Sequence, residues 1–328
     1  MDNREIQYSI VVPLYNEELV VKESYRRLKK VMISTNESYE MIFVNDGSRD
    51  KTFEMAKEIC NQDKNVKLLS FSRNFGHQVA ITAGMDYSAG KAVIVIDADL
   101  QDPPEVMLEM IKKWKQGYDV VYGKRIKRNG ETIFKKITAK AFYRVLKSMT
   151  DVNIPVDAGD FRLIDRKVCD ALKTIPERNR YVRGLVSWLG FKQTGVEFSR
   201  EERFAGETKY PLKKMIRFAS DGITSFSYKP LKLATFLGLA VAGLSFAYLV
   251  IVLFEKLFTG LTVPGWASIV ALSLFFNGLM FIMLGIIGEY VGRIYDEAKG
   301  RPLYIISEKE GFQYGADCGN TFIQSKVS

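Results

Sequence analysis

"AVIVIDADLQDPPE", residues 92–105, is the stretch whose reading decides the fold. Five apolar residues lead into Asp97, Asp99 and Asp102. A short unbroken apolar run reads as a strand buried on both faces of a parallel sheet. In open α/β sheets, ligands gather outside the carboxyl ends of the strands. The three acids therefore stand where a binding site belongs, although Asx turns also place aspartate at strand ends for purely local reasons.

The same rhythm extends along the first 125 residues. Strand signals fall at residues 8–14, 39–45, 66–72, 92–97 and 119–123, with helical stretches at 18–34, 51–61 and 105–116. This alternation predicts an α/β domain, Rossmann-like, with a mostly parallel sheet and helices on both faces. Asp50 suits a helix N-cap, and Pro103 with Pro104 suits a first helical turn. Each strand end is polar: Pro13, Tyr15, Asn16 and Glu17 after the first, Asp46 and Gly47 after the second, Arg73 and Asn74 after the third. Between residues 130 and 206 the pattern loosens, with a basic helix expected over 131–148 and a loop around Asp157. The tail after Tyr304 is polar and uninformative.

The chain has 328 residues and a formal net charge of +9. That charge suits anionic lipid headgroups or phosphorylated substrates, and no nucleic-acid motif accompanies it. Cys60, Cys169 and Cys318 form no CxxC pair and fit a reducing compartment. His77 is the only histidine, which excludes a histidine-based metal cluster, and no GxSxG elbow accompanies it. Residues 233–254 and 263–288 are uncharged, and each passes the roughly 18–20 residues that span a bilayer. Lys213, Lys214, Arg217, Lys229 and Lys232 flank one side, and Arg293, Lys299 and Arg301 the other, which places both flanks in the cytosol. The opening "MDNREIQYS" has no apolar h-region, so the residues up to about 230 are expected to begin there too. Residues 209–229 read as an amphipathic helix, lying in the membrane interface or packed on its own domain. Gly285, Gly288 and Gly292 would let helices approach closely, either within the hairpin or in a homo-oligomer.

The sheet lacks both usual phosphate cradles, GxxxxGK[ST] and GxGxxG. A diphosphate would need another counter-charge, and Asp97 with Asp99 could direct a Mg²⁺ or Mn²⁺ onto it.

Taken in order and spacing, "SIVVPLYNEE", "VNDGSRD", "DADLQDPPE", "GKR" and "DAGDFRL" resemble the family 2 glycosyltransferases of GT-A fold. The chain is most similar to the polyprenyl-phosphate branch: bacterial bactoprenol glucosyltransferases and, more distantly, dolichyl-phosphate mannose synthases. The resemblance implies transfer of a single sugar, glucose in the nearer branch, from a UDP-sugar to undecaprenyl phosphate with inversion. N-acetylglucosamine, mannose and a silent nucleotide-sugar-binding adaptor remain open alternatives. It implies that Pro13, Tyr15, Glu17, Asp46, Arg73 and Asp97 hold the nucleotide. Asp97, Asp99 and Gln101 would hold the metal, and Arg125, Arg203 and Lys209 would meet diphosphate or acceptor. Asp99, Arg125 and Asp157 would carry the catalysis, with Asp160 competing for the role of base. It further implies a catalytic domain over residues 1–206, interfacial helices over 207–232, a transmembrane hairpin over 233–290 and a cytosolic tail over 291–328, in the cytoplasmic membrane with both termini inside. QxxRW, carried by polymer synthases of the family, is absent.

Overall fold

The computed structural model describes residues 5–126, 155, 158–201, 229–258 and 265–312. Eight strands form one mixed sheet: β1 (Tyr8–Leu14), β2 (Tyr39–Asn45), β3 (Val66–Phe71), β4 (Ala92–Val95), β5 (Val120–Arg125), β6 (Ala158–Asp165), β7 (Gln193–Phe198) and β8 (Ile306–Glu310). Their order is β7-β5-β6-β4-β1-β2-β3-β8. The β4-β1-β2-β3 block is parallel, whereas β6 runs antiparallel to both β4 and β5.

The strands alternate between two cores. Ile10, Val12 and Leu14 of β1 pack on the face covered by α1 (Val21–Ser34), α2 (Thr52–Gln62) and α4 (Val106–Lys115). Val11 packs on the opposite face, against α3 (His77–Asp86), α5 (Arg166–Lys173) and α6 (Val182–Trp188). Burial on both faces is why the strands read as unbroken apolar runs. Asp165 caps α5 by accepting from Lys167 N at 3.1 Å.

Three expectations are corrected. The fourth strand ends at Val95, not Asp97, because β4 pairs with β1 only as far as Val11↔Val95. Asp50 does not sit at the N-cap of α2, which is Lys51; its carboxylate instead accepts from Thr52 N at 3.1 Å and from Thr52 Oγ1 at 2.5 Å. The polar tail supplies β8, which pairs antiparallel with β3, while Tyr304 stacks on Phe71 and donates to Asp86 at 2.9 Å. The helices expected over 131–148 and 209–229, together with Cys318, lie outside the described residues.

Two long helices precede β8: α7 (Lys229–Phe258, 30 residues) and α8 (Trp266–Ala298, 33 residues). Phe236, Phe246, Phe275 and Phe281 on them are exposed. Among the described residues one helical segment, Phe275–Ala298, is long and apolar enough to cross a membrane, and Ala234–Tyr248 is a shorter apolar stretch. Among the described residues, a Cβ at Gly285, Gly288 or Gly292 would meet nothing within 4 Å.

Candidate active site

The chain builds β1, β2 and β3 outward in one direction, then returns to place β4 on the other side of β1. A crevice opens at such a switch point, beyond the strand ends. Proline helps to open it. Val11 O accepts from Ile96 N at 3.1 Å, so strand parity turns Pro13 toward the same side, past the last β1–β4 pair. There its missing N–H costs no ladder bond. Beyond it, Asn16 adopts φ 55° and ties the β1 loop to the β2 loop: its N–H donates to Ser48 Oγ at 3.1 Å and its side-chain oxygen accepts from Arg49 N at 2.9 Å. Glu17 N donates to Thr52 Oγ1 at 2.7 Å. Tyr15 lies between these contacts, 36 % exposed.

The β4 end carries the acids. Asp99 accepts from Gln101 N at 3.1 Å, closing a tight turn in which Leu100, although buried, adopts φ 57°. A non-glycine residue held there stores about 1–3 kcal/mol of strain, of the kind that accumulates at functional loops. Asp102 is buried and meets Arg125 at 3.1 Å and Arg200 at 3.5 Å. Arg125 reaches it by crossing the backbone of Gly159, where a Cβ would stand 2.7 Å from the guanidinium. Burial pushes the Asp97 carboxyl up to about 6; His77 pulls against this, while Asp160, Asp99 and Asp102 add to it. Asp97 Oδ1 is buried with no hydrogen-bond partner among the described residues.

The β2 end differs. Asp46 Oδ1 accepts from Phe75 N at 2.6 Å, and Oδ2 accepts from Gly76 N and Asn74 Nδ2, both at 3.0 Å. Three of its roughly four acceptor sites are thus taken by the β3–α3 loop. Burial still raises Asp46 above the usual carboxylate range. Gly47 is obligatory: its φ is +62°, and a Cβ would lie 2.4 Å from the Arg73 carbonyl carbon. Beside it a crevice of about 470 Å³ is lined by Gly47, Arg49, Phe53, Arg73, Asn74 and Glu308 among others. Arg73 belongs to this crevice; Pro13, Tyr15, Glu17 and the β4 acids do not line it, and Asp46 stands between the two groups.

Sequence reasoning assigned no role to His77, Gln78 or Arg183, which gather around Asp97 and Asp160. His77 Nε2 lies 3.4 Å from Asp97 Oδ1 and 3.3 Å from Asp160 Oδ2. Arg183 grips Asp160 through Nε at 2.7 Å and Nη2 at 2.9 Å, and Gln78 Nε2 adds a third donor at 3.2 Å. Burial opposes the Asp160 charge, yet Arg183 and His77 hold it well below the usual carboxylate range. Burial alone would lower His77; Asp97 and Asp160 outweigh it and carry the imidazole up to about 9. The available signal was the lone histidine directly after a polar strand end. Arg183 and Arg200 sit in the region where periodicity fades, and nothing local marks them. Asp157, Arg203 and Lys209 lie outside the described residues.

No three His, Cys, Asp or Glu side chains form a preformed cage among the described residues. The donor set nevertheless fits a hard cation. Carboxylates crowd the β4 end, and Mg²⁺-type sites use one or two carboxylates completed by substrate phosphate. Asp97, Asp99 and Gln101 share this one loop.

Residues 9–173 match the family model described as Glycosyl transferase family 2. The chain is 62% identical over 311 residues to the uncharacterized glycosyltransferase YkcC of Bacillus subtilis (strain 168), covering 95% of this chain and 96% of that one. It is 40% identical to the bactoprenol glucosyl transferase of Shigella phage SfV, covering 93% and 99%. Among solved structures, glucosyl-3-phosphoglycerate synthase from Mycobacterium tuberculosis, in complex with Mn²⁺, UDP and glucosyl-3-phosphoglycerate, aligns with 18% identity and a TM-score of 0.45, covering 67% of this chain and 78% of that one.

Proposed function

We propose, from the premise that this chain belongs to glycosyl transferase family 2, that it moves one glucose from UDP-glucose to a membrane polyprenyl phosphate and releases UDP. That it is a glycosyltransferase follows from the family; the donor, the acceptor and inversion at the anomeric carbon are the proposal. The observation that carries it is the crowd of carboxylates at the switch point, Asp97, Asp99 and Asp102, with Arg125 and Arg200 drawn onto Asp102. Relatives named for bactoprenol and for glucosyl transfer, spanning 92% and 93% of this chain, support the lipid acceptor and the sugar.

In this reading Tyr15, Glu17 and Arg73 hold the nucleoside, with Pro13 opening the crevice between β1 and β4. Asp46 acts on the nucleotide chiefly by fixing the β3–α3 loop, since three of its acceptor sites are filled. Asp99 and Gln101, with Asp97 beside them, would hold Mg²⁺ or Mn²⁺. Such an ion would stabilise the departing diphosphate as its charge develops. Arg125 is assigned to the same charge, and so, by the family resemblance, are Arg203 and Lys209.

In this reading Asp160 does not serve as the base; its carboxylate lying under Arg183, Gln78 and His77 supports that. Asp157 takes the acceptor side, as a positioning group. A phosphate monoester has a second pKa of about 6, so at neutral pH most of the acceptor is already a dianion and little proton abstraction remains. The apolar surfaces of α7 and α8 are assigned to a two-span membrane hairpin, with the catalytic domain and both termini in the cytosol. A panel of labelled UDP-sugars, offered with undecaprenyl phosphate and resolved by thin-layer chromatography, tests the reading. Label is expected in lipid from UDP-glucose; label in lipid from none of the sugars would defeat it.

A further inference from the structure

We propose that His77 is a positioning residue that fixes the Asp97 carboxylate, and that Asp160, Arg183 and Gln78 form the clamp that fixes His77. The inference rests on the reading of the β4 end as a metal–nucleotide site.

Four elements converge here, and each contact has a direction. Val182 N donates to Gln78 Oε1 at 3.1 Å, so the Gln78 amide is oriented with its NH₂ toward Asp160. Arg183 adds its bidentate grip on Asp160 and donates from Nη1 to Ala158 O at 3.3 Å, which locks the guanidinium to β6. Asp160, so held, presents Oδ2 to His77 Nε2 at 3.3 Å. The same Nε2 lies 3.4 Å from Asp97 Oδ1, the oxygen that is buried and has no hydrogen-bond partner among the described residues. His77 itself is the first residue of α3, behind Gly76 at φ 108°, so the backbone fixes where the ring begins.

Asp160 is buried and Asp97 is half-buried with its Oδ1 enclosed, and two carboxylates held against one side chain are unfavourable unless a polar group stands between them. His77 Nε2 stands between them, 3.4 Å from Asp97 Oδ1 and 3.3 Å from Asp160 Oδ2, and it decides which Asp97 oxygen faces inward. With Oδ1 turned to His77, Oδ2 is the oxygen left for the ligand. In this reading Asp99 and Gln101 then bear the metal. An outer partner that orients a ligating carboxylate is typically worth about 10- to 100-fold in metal affinity or activity.

The test is calorimetric titration of full-length protein in detergent with UDP plus Mn²⁺, beside thermal unfolding and donor kinetics. His77→Leu is expected to weaken Mn²⁺-dependent UDP binding by about 10- to 100-fold, raising the donor KM while the Tm holds. His77→Gln, which returns an N–H near the Nε2 position, is expected to recover part of that loss. Arg183→Gln, which loosens Asp160 and through it His77, is expected to follow His77→Leu. Should His77→Leu fail to fold, the comparison of His77→Gln with Arg183→Gln carries the test. Wild-type affinity in His77→Leu and Arg183→Gln, or losses that only track a falling Tm and are equal in the Leu and Gln variants, would overturn the proposal. Absence of Mn²⁺-dependent UDP binding in the wild type would overturn the underlying reading as well.

Discussion

Asp46 and Asp97 stand at the ends of neighbouring parts of one sheet, and the chain brings them to opposite states. Asp46 collects two backbone N–H groups and an Asn74 amide, so its charge is satisfied by the protein itself. Asp97 has one imidazole and three other carboxylates around it, and burial with that crowding lifts it to about 6. An acid already satisfied shapes a site; an acid short of partners is available to something the protein binds. Asp160, gripped by Arg183 at 2.7 Å, falls on the satisfied side of the same contrast.

Substitutions can break this contrast, and the largest effect belongs to Asp99. Asp99→Asn is expected to abolish transfer while leaving thermal unfolding unchanged; near-normal turnover would remove the metal assignment. Asp157→Asn comes next, with a loss of about 100-fold through misplaced acceptor. In both wild type and this variant, kcat is expected to fall as pH drops through about 6, because the lipid phosphate gains a proton there. A phosphonate acceptor, a weaker acid at that ionisation, should move the limb upward. A limb that stays put belongs to a protein group, and one that vanishes in Asp157→Asn marks a required base.

Gly159→Ala is expected to push Arg125 off Asp102 and lower turnover by up to about 100-fold, the upper range for a misplacement of order 1 Å. Its Tm should barely move, because the colliding atoms are the end of a flexible side chain. The smallest effects are on stability, and they should differ in sign. Asp46→Asn replaces an acceptor of three donors and is expected to cost about 1–3 kcal/mol, seen as a lower Tm. Asp97→Asn relieves carboxylate crowding and is expected to leave the Tm level or raise it. A lower Tm for Asp97→Asn than for Asp46→Asn would erase the distinction.

Much of this arrangement was legible before the structure. Strands β1 to β4 are buried on both faces, so their apolar runs and the helices between them announce a parallel sheet. The acids after β4 were visible for the same reason. The return strands were not. β6 and β7 follow a stretch without clear periodicity, and β8, "ISEKE", is an edge strand whose polar outward residues hide its pairing with β3. The clamp of His77, Gln78, Asp160 and Arg183 joins residues up to 106 positions apart in the numbering, and no local pattern encodes that meeting. Sequence counted both Asp46 and Asp97 among the nucleotide contacts and could not tell the satisfied acid from the other, because that difference lies in which backbone N–H groups the fold delivers to each.

The most direct test of the β4 end is UDP binding by the full-length protein with Mn²⁺ and again in excess chelator, for wild type and Asp99→Asn. The expected result is a wild type that binds at least about 10-fold more weakly in chelator, and an Asp99→Asn variant equally weak in both. Wild-type binding that is the same with and without Mn²⁺ would contradict the account.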